Sequence, residues 1–259
     1  MILYNIDYHI YDSCNLNCAS CNHFSPLTNQ SNMVTIEKAK KDFELLKTIG
    51  NKFNKITILG GEACLNPYVI PILELASQMF SGKVKLITNG TITKPLYNLK
   101  ENNLDLAIEL VITEYPFKPN FREHYDILKK DFPNATFYTF RHEHGFISKH
   151  LSYEPLNTPD ELILNCEKRF KCVQYINGKL YICHYAGYLN NLKNITDFEF
   201  TNCDAYVDIE NCTDEQFDDF FTNKIPDICK HCRFVQKPYE ELEKKPWART
   251  QREPQEWIS

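Results

Sequence analysis

Residues 55–80, KITILGGEACLNPYVIPILELASQMF, are the stretch on which the fold turns. Residues 55–59 form a β-rich run stopped by Gly60-Gly61. Asn66-Pro67 then reads as an N-cap and first helical position for a helix reaching about Phe80. Strand, glycine turn and helix in that order make one βα unit, and the pattern repeats to either side. Upstream, residues 4–11 (YNIDYHIY) alternate like a strand. Residues 35–49 then place Ile36, Ala39, Phe43, Leu46 and Ile49 at helical spacing before Gly50. Downstream, residues 83–88 form a strand closed by Asn89-Gly90. Residues 104–113 read as the next strand, 121–132 as a helix and 135–140 as a fifth strand. The expected fold is therefore α/β, five strands alternating with helices in a parallel sheet or partial barrel over residues 1–150, with functional residues on loops after the carboxyl ends of strands.

The texture changes from Arg141. Residues 142–160, HEHGFISKHLSYEPLNTPD, are polar and broken by Pro155 and Pro159, as in a linker or lid. Two β runs, 173–176 and 179–182, flank Asn177-Gly178, a strong hairpin signal. Residues 214–221 look helical, and the tail after Pro238 is polar with Trp247 and Trp257. Residues 151–259 are accordingly expected to form a linker and a second, small domain.

The 259 residues are 43% hydrophobic and 24% charged, the composition of a globular protein with a sizeable core. Lys and Arg number 29 against 34 Asp and Glu, and this net charge of -5 argues against broad nucleic-acid or anionic-membrane binding. No run approaches the roughly 18 apolar residues of a membrane span. The start, MILYNIDYHIY, has neither a basic n-region nor a small-residue cleavage site, so a cytoplasmic location is expected.

Eleven cysteines are the anomaly. The odd count in a large chain without a secretory signal disfavours a disulfide framework and points to reduced thiols, several of them holding metal. Cys14, Cys18 and Cys21, spaced CxxxCxxC directly after the first expected strand, can converge on one metal centre. With no nearby fourth ligand they leave a coordination position open; a structural zinc knuckle is the alternative. Gly60-Gly61-Glu62 follows the second strand and Thr88-Asn89-Gly90 the third. Glycines there let a backbone approach a ligand, and a carboxylate can accept hydrogen bonds from an ammonium group. Glu114-Tyr115 and Arg141-His142-Glu143-His144 fall on the same rim, as cofactor or substrate contacts or as solvated loop. Cys166, Cys172, Cys183, Cys229 and Cys232 form a second constellation able to close a four-thiolate site, with a zinc ribbon as the alternative. Cys64, Cys203 and Cys212 read as small buried hydrophobes.

CxxxCxxC followed in order by Gly-Gly-Glu resembles the radical S-adenosylmethionine (SAM) superfamily, which implies a partial (β/α)6 TIM-like barrel over residues 1–150. The resemblance implies that Cys14, Cys18 and Cys21 bind three irons of a 4Fe-4S cluster whose fourth iron chelates SAM. Gly60, Gly61 and Glu62 would then meet the SAM amino group, and Thr88, Asn89, Glu114 and Arg141 would complete the cofactor site. It also implies the chemistry, in which one electron cleaves SAM to methionine and a 5'-deoxyadenosyl radical that abstracts hydrogen from substrate. Ser20 stands where the family usually has an aromatic, which leaves the adenine contact to His23 or Phe24, and Ala63 stands where it usually has proline. The spacing of Cys166, Gly178 and Cys183 before a later CxxC is similar to the auxiliary-cluster region of the SPASM and twitch subfamilies. That implies one auxiliary 4Fe-4S cluster, with Cys166, Cys183, Cys229 and Cys232 favoured and Cys172 the leading substitute. The implied function is net oxidation of a small substrate such as a sugar or cyclitol, served by an electron donor such as flavodoxin or ferredoxin. A small substrate is favoured over a peptide because Cys14 leaves little room for a docking wing before the barrel. The alternatives are a peptide maturase or epimerase, and a non-catalytic zinc or iron-sulfur protein.

Overall fold

A computed structural model describes residues 2–29, 32–139, 146–197, 205–236 and 242–259. The first half alternates strand and helix: β1 (Leu3–His9), α1 (Ile36–Thr48), β2 (Phe53–Leu59), α2 (Val69–Met79), β3 (Val84–Thr88), α3 (Lys94–Glu101), β4 (Glu109–Glu114), α4 (Phe121–Asp131) and β5 (Thr136–Thr139). There follow β6 (Phe146–Ile147), α5 (Asp160–Leu164), α6 (Lys168–Lys171), β7 (Val173–Ile176), β8 (Lys179–Tyr181) and α7 (His184–Tyr188). The last elements are β9 (Tyr206–Asp208), α8 (Asp214–Thr222), α9 (Asp227–Lys230) and β10 (Lys244–Lys245).

Eight strands form one sheet in the order β5-β4-β3-β2-β1-β7-β8-β9. β5, β4, β3, β2, β1 and β7 run parallel, so six strands make the partial barrel; β8 and β9 extend it antiparallel. The hairpin read from Asn177-Gly178 therefore supplies the sixth parallel strand, β7, and begins the antiparallel extension with β8. Both turn residues adopt positive φ, 49° and 80°, as a tight hairpin requires. A separate ribbon pairs β6 with β10.

Among the elements that differ from the sequence reading are the fourth strand, α2 and α3, the last absent from that reading. The fourth strand begins at Glu109, because Asn103 at φ 55° starts a 3-10 turn over Leu104–Leu106. α2 begins at Val69: the Asn66 side chain accepts from the Tyr68 backbone and donates to the Ile10 and Val34 carbonyls, tying the loop down before the helix starts. α3 has Pro95 in its first turn, which fits the missing donor of a helix start.

The alternation of β1 separates two environments. Ile6, Tyr8 and Ile10 are at most 2% exposed, and Tyr8 packs on Phe43 of α1 at 5.0 Å. Burying each such side chain stabilises the fold by roughly 1.5–3 kcal/mol. Asn5, Asp7 and His9 point the other way and are also buried. In register across β7, β1, β2, β3 and β4 lie Gln174, Asp7, Thr57, Lys85 and Glu109, a polar row across the face opposite the helices. Its side chains hydrogen-bond to one another and to the carbonyls of Lys171 and Cys172. Gln174 and Asn5 donate to Asp7, and Thr57 donates to Asn5. The inner face of the barrel is thus polar below the site.

Candidate active site

The loop carrying the first three cysteines leaves β1 and lies directly against the end of β2. Gly61 donates its backbone N–H to the Tyr11 carbonyl at 2.8 Å, and Glu62 donates to that of Ser13 at 2.9 Å. A Cβ at Gly60 would fall 2.3 Å from the Tyr11 carbonyl oxygen, and one at Gly61 would fall 2.5 Å from those of Asp12 and Ser13. The close approach these glycines permit is therefore made first by the chain's own cysteine loop. Within that loop Asn17, Ser20 and Phe24 take positive φ, which turns the chain tightly enough to bring the thiols round.

The end of the chain straps the loop from outside. Ala19 donates to the Ala248 carbonyl and Thr250 to that of Asn17, both at 2.9 Å. Ser20 donates its hydroxyl to the Glu256 carbonyl at 2.7 Å. The Trp257 indole is fully buried and donates to the Cys21 carbonyl at 2.9 Å. The Trp247 indole donates to the Cys18 sulfur at 3.1 Å. His150, from the linker, meets the Ser20 carbonyl through Nε2 at 2.8 Å and the Tyr185 hydroxyl through Nδ1 at 3.1 Å. Sequence reading noted both tryptophans only as features of a polar tail. Nothing local could reveal them as parts of the site, since their partners lie more than 200 residues away.

Cys14, Cys18 and Cys21 line a cavity of about 340 Å³ together with Gly60, Gly61, Glu62, Thr88 and Asn89. Glu62 is 1% exposed and its carboxylate accepts from Thr88 Oγ1 (2.6 Å), the Asn89 backbone (2.7 Å) and the Cys64 backbone (2.9 Å). It therefore binds the ends of β2 and β3 together, and burial raises its pKa. Asn89 donates to Asn15 at 3.0 Å and reaches the Cys14 sulfur at 3.8 Å. Burial pushes the Cys14 thiol up to about 12, and it also raises those of Cys18 and Cys21. Holding all three as thiolates requires a metal-borne positive charge. Among the described residues no three His, Cys, Asp or Glu side chains gather tightly enough for a single ion. A tetrahedral zinc site with 2.3 Å bonds sets its sulfurs about 3.8 Å apart. Three thiols around one cavity fit the donor set of a thiolate-ligated cluster.

The remaining candidates divide. Glu114 is buried but turned away: it pairs with Lys129 of α4 at 2.7 Å, and its neighbours Thr113 and Tyr115 line the cavity instead. The physical reason is the two-residue period of β4, which sends adjacent side chains to opposite faces. Arg141 lies outside the described residues, as do His142, Glu143, His144 and Cys203. His23 lines the cavity and packs edge-on against His9 and His184, and burial lowers its pKa to about 4. Phe24 is core, in ring contact with Tyr185. Cys64 is 4% exposed and part of the core, and Cys212 packs against it.

A second, small cavity is lined by Cys166, Cys183, Cys229 and Cys232. Cys172, at the end of α6, is outside that lining, and burial pushes its thiol up to about 12. Arg169 supplies the charge there. Only 2% exposed, it donates to the carbonyls of Phe220, Phe221 and Lys224, while Nη1 has no hydrogen-bond partner. A buried cation with a free donor, lining one cavity with four thiols, fits an anionic thiolate-ligated group. Lys168 and Tyr185 line both cavities and so stand between the two sets of cysteines.

No protein-family model matches the sequence, and no curated protein sequence matches it. Solved structures do. BtrN in complex with AdoMet and 2-DOIA superposes with a TM-score of 0.57 at 17% identity, covering 95% of this chain and 99% of that one. Selenomethionine BtrN in an open conformation gives 0.50 at 13% identity, over 92% and 91%. Streptococcus suis SuiB bound to S-adenosylmethionine gives 0.40 at 11% identity, over 94% and 76%. The fold is the mixed α/β partial barrel that BtrN also has, along nearly its whole length. Among the described residues no helix is long and apolar enough to cross a membrane.

Proposed function

We propose that this chain is a radical SAM enzyme that oxidises a small polar substrate. The observation that carries the reading is the shared cavity: the three thiols of CxxxCxxC face the same space as Gly60, Gly61, Glu62, Thr88 and Asn89, at the carboxyl ends of consecutive parallel strands. The BtrN structure, which shares this fold and carries AdoMet, supports SAM as the ligand.

In this reading Cys14, Cys18 and Cys21 hold a 4Fe-4S cluster, and Cys166, Cys183, Cys229 and Cys232 hold an auxiliary one in residues 151–259. Held there with SAM, such a cluster would supply one-electron reductive cleavage of the sulfonium and so a hydrogen-abstracting species. The chain's residues do the rest. Glu62, Thr88 and Asn89 fix the strand ends, and Asn89 ties them to the cysteine loop through Asn15. Lys168 and Tyr185 present polar groups to a substrate lying between the sites, within reach of both. Two centres facing one substrate suit net oxidation of an alcohol in a sugar or cyclitol, from which a hydrogen atom, an electron and a proton must all depart. An exchangeable one-electron donor such as flavodoxin or ferredoxin is required.

Anaerobic reconstitution followed by metal analysis and reduction with SAM tests this. About eight irons per chain and release of 5'-deoxyadenosine are expected; zinc without iron, or iron-loaded protein that leaves SAM intact, overturns it.

A further inference from the structure

We propose that the Trp247 indole N–H raises the reduction potential of the cluster held by Cys14, Cys18 and Cys21. This rests on the proposed function for the cluster itself and adds a residue from the far end of the chain.

Trp247 is 229 residues from Cys18, yet its Nε1 is 3.1 Å from the Cys18 sulfur. The contact is held in place by backbone. Cys18 and Arg249 form an antiparallel bridge, and the bonds from Ala19 to Ala248 and from Thr250 to Asn17 lie on either side of it. Residue 247 is therefore presented to the loop by a short two-stranded clamp. Cys18 is 8% exposed, so its sulfur is largely withdrawn from water as well. A hydrogen bond to a cluster thiolate stabilises the extra negative charge of the reduced form and raises the potential. Indole is neutral and does not titrate in the working range, so its donation is constant with pH. Two other side chains donate towards sulfurs of this loop at different cysteines: the Asn89 amide stands off Cys14 at 3.8 Å, and Ser25 serves Cys21. Trp257 points its N–H at the Cys21 carbonyl, which leaves Trp247 as the indole bonded to sulfur.

The experiment is a redox titration followed by electron paramagnetic resonance on reconstituted protein, reading the cluster whose signal changes when SAM is added. W247F keeps the apolar cover and removes the donor. The expected result is a more negative midpoint, with the ratio of reduced to oxidised cluster at fixed potential lower by roughly threefold to tenfold, tenfold being 59 mV for one electron. W257F, which loses a bond to a carbonyl, should leave the midpoint in place. An unchanged midpoint in W247F with the cluster present overturns the role of Trp247 alone, whereas wild-type protein that takes up no cluster overturns the proposed function. If W247F does not take up iron, W257F labelled with 15N at its remaining indole answers instead. A 15N coupling on the reduced cluster supports the bond, and its absence overturns it.

Discussion

Around Cys14, Cys18 and Cys21 the cavity is about 340 Å³, Glu62, Thr88 and Asn89 share its walls with apolar side chains, and the loop is strapped by the end of the chain. Around Cys166, Cys183, Cys229 and Cys232 the space is small, the lining is mostly apolar, and the buried charge is an arginine anchored on three carbonyls. Three thiols beside a roomy cavity that also holds a carboxylate and an amide leave space for a ligand with an ammonium and a carboxylate. Four thiols beside a small, apolar one leave room only for the group they bind. The first cavity lies among the loops after parallel strands, and the second is lined from α6, α7, α9 and the segments beside them.

The largest expected effect separates the two sites by chemistry. C18A should lower 5'-deoxyadenosine release by more than about 100-fold, beyond the usual cost of changing a supporting residue. C229A/C232A should retain SAM cleavage while iron falls to about four per chain. Equal loss of cleavage in both variants would erase the distinction.

The strap gives the next effect. W257A empties a fully buried site and removes a hydrogen bond to the cysteine loop. It should cost about 3–5 kcal/mol, a fall in Tm of roughly 10 °C for a chain of this size, with iron lost from the first site ahead of the second. Calorimetry and metal analysis check both parts.

At the second site, R169M should destabilise the fold by about 2–3 kcal/mol through lost charged hydrogen bonds and weaken iron retention there. The SAM-responsive signal of the first site should be unchanged. R169K should keep part of the effect by retaining the charge without the fork.

The smallest expected effect concerns the polar row below the first site. Burial raises Asp7 from 3.8 to about 6, ahead of the lowering effect of the bonds from Gln174 and Asn5. Because the folded pKa lies above the unfolded one, folded protein binds more protons between about pH 4 and 6. Stability therefore falls as pH rises through that window, by up to roughly 3 kcal/mol. D7N should flatten this slope in denaturant titrations; an unchanged slope would assign it to other groups.

Much of the fold was legible because βα units announce themselves locally. Gly60-Gly61 stops one strand, Asn89-Gly90 another, and Asn177-Gly178 makes a hairpin whose positive φ values few other residues accept. The start of β4 was misplaced because an apolar 3-10 turn and an apolar strand look alike when read as hydrophobicity. The three cysteines and the Gly-Gly-Glu and Thr-Asn segments were readable as one rim, since consecutive parallel strands deliver their carboxyl ends to the same side. Glu114 misled for the complementary reason: sequence places a residue at a strand end, but strand parity decides which side it faces, and here that side is α4.

The sequence by itself determined the alternation of strand and helix, the cysteine spacing and the glycines that let two backbones touch, because these depend on neighbours a few positions apart. Tertiary structure alone decided that Trp247 and Trp257 belong to the first site, that Cys172 lies outside the lining formed by its four neighbours, and that Arg169 is buried with a free donor among them. Each of those facts is a contact between segments far apart in the chain. Side-chain direction and chain closure set such contacts, and no local pattern records either one.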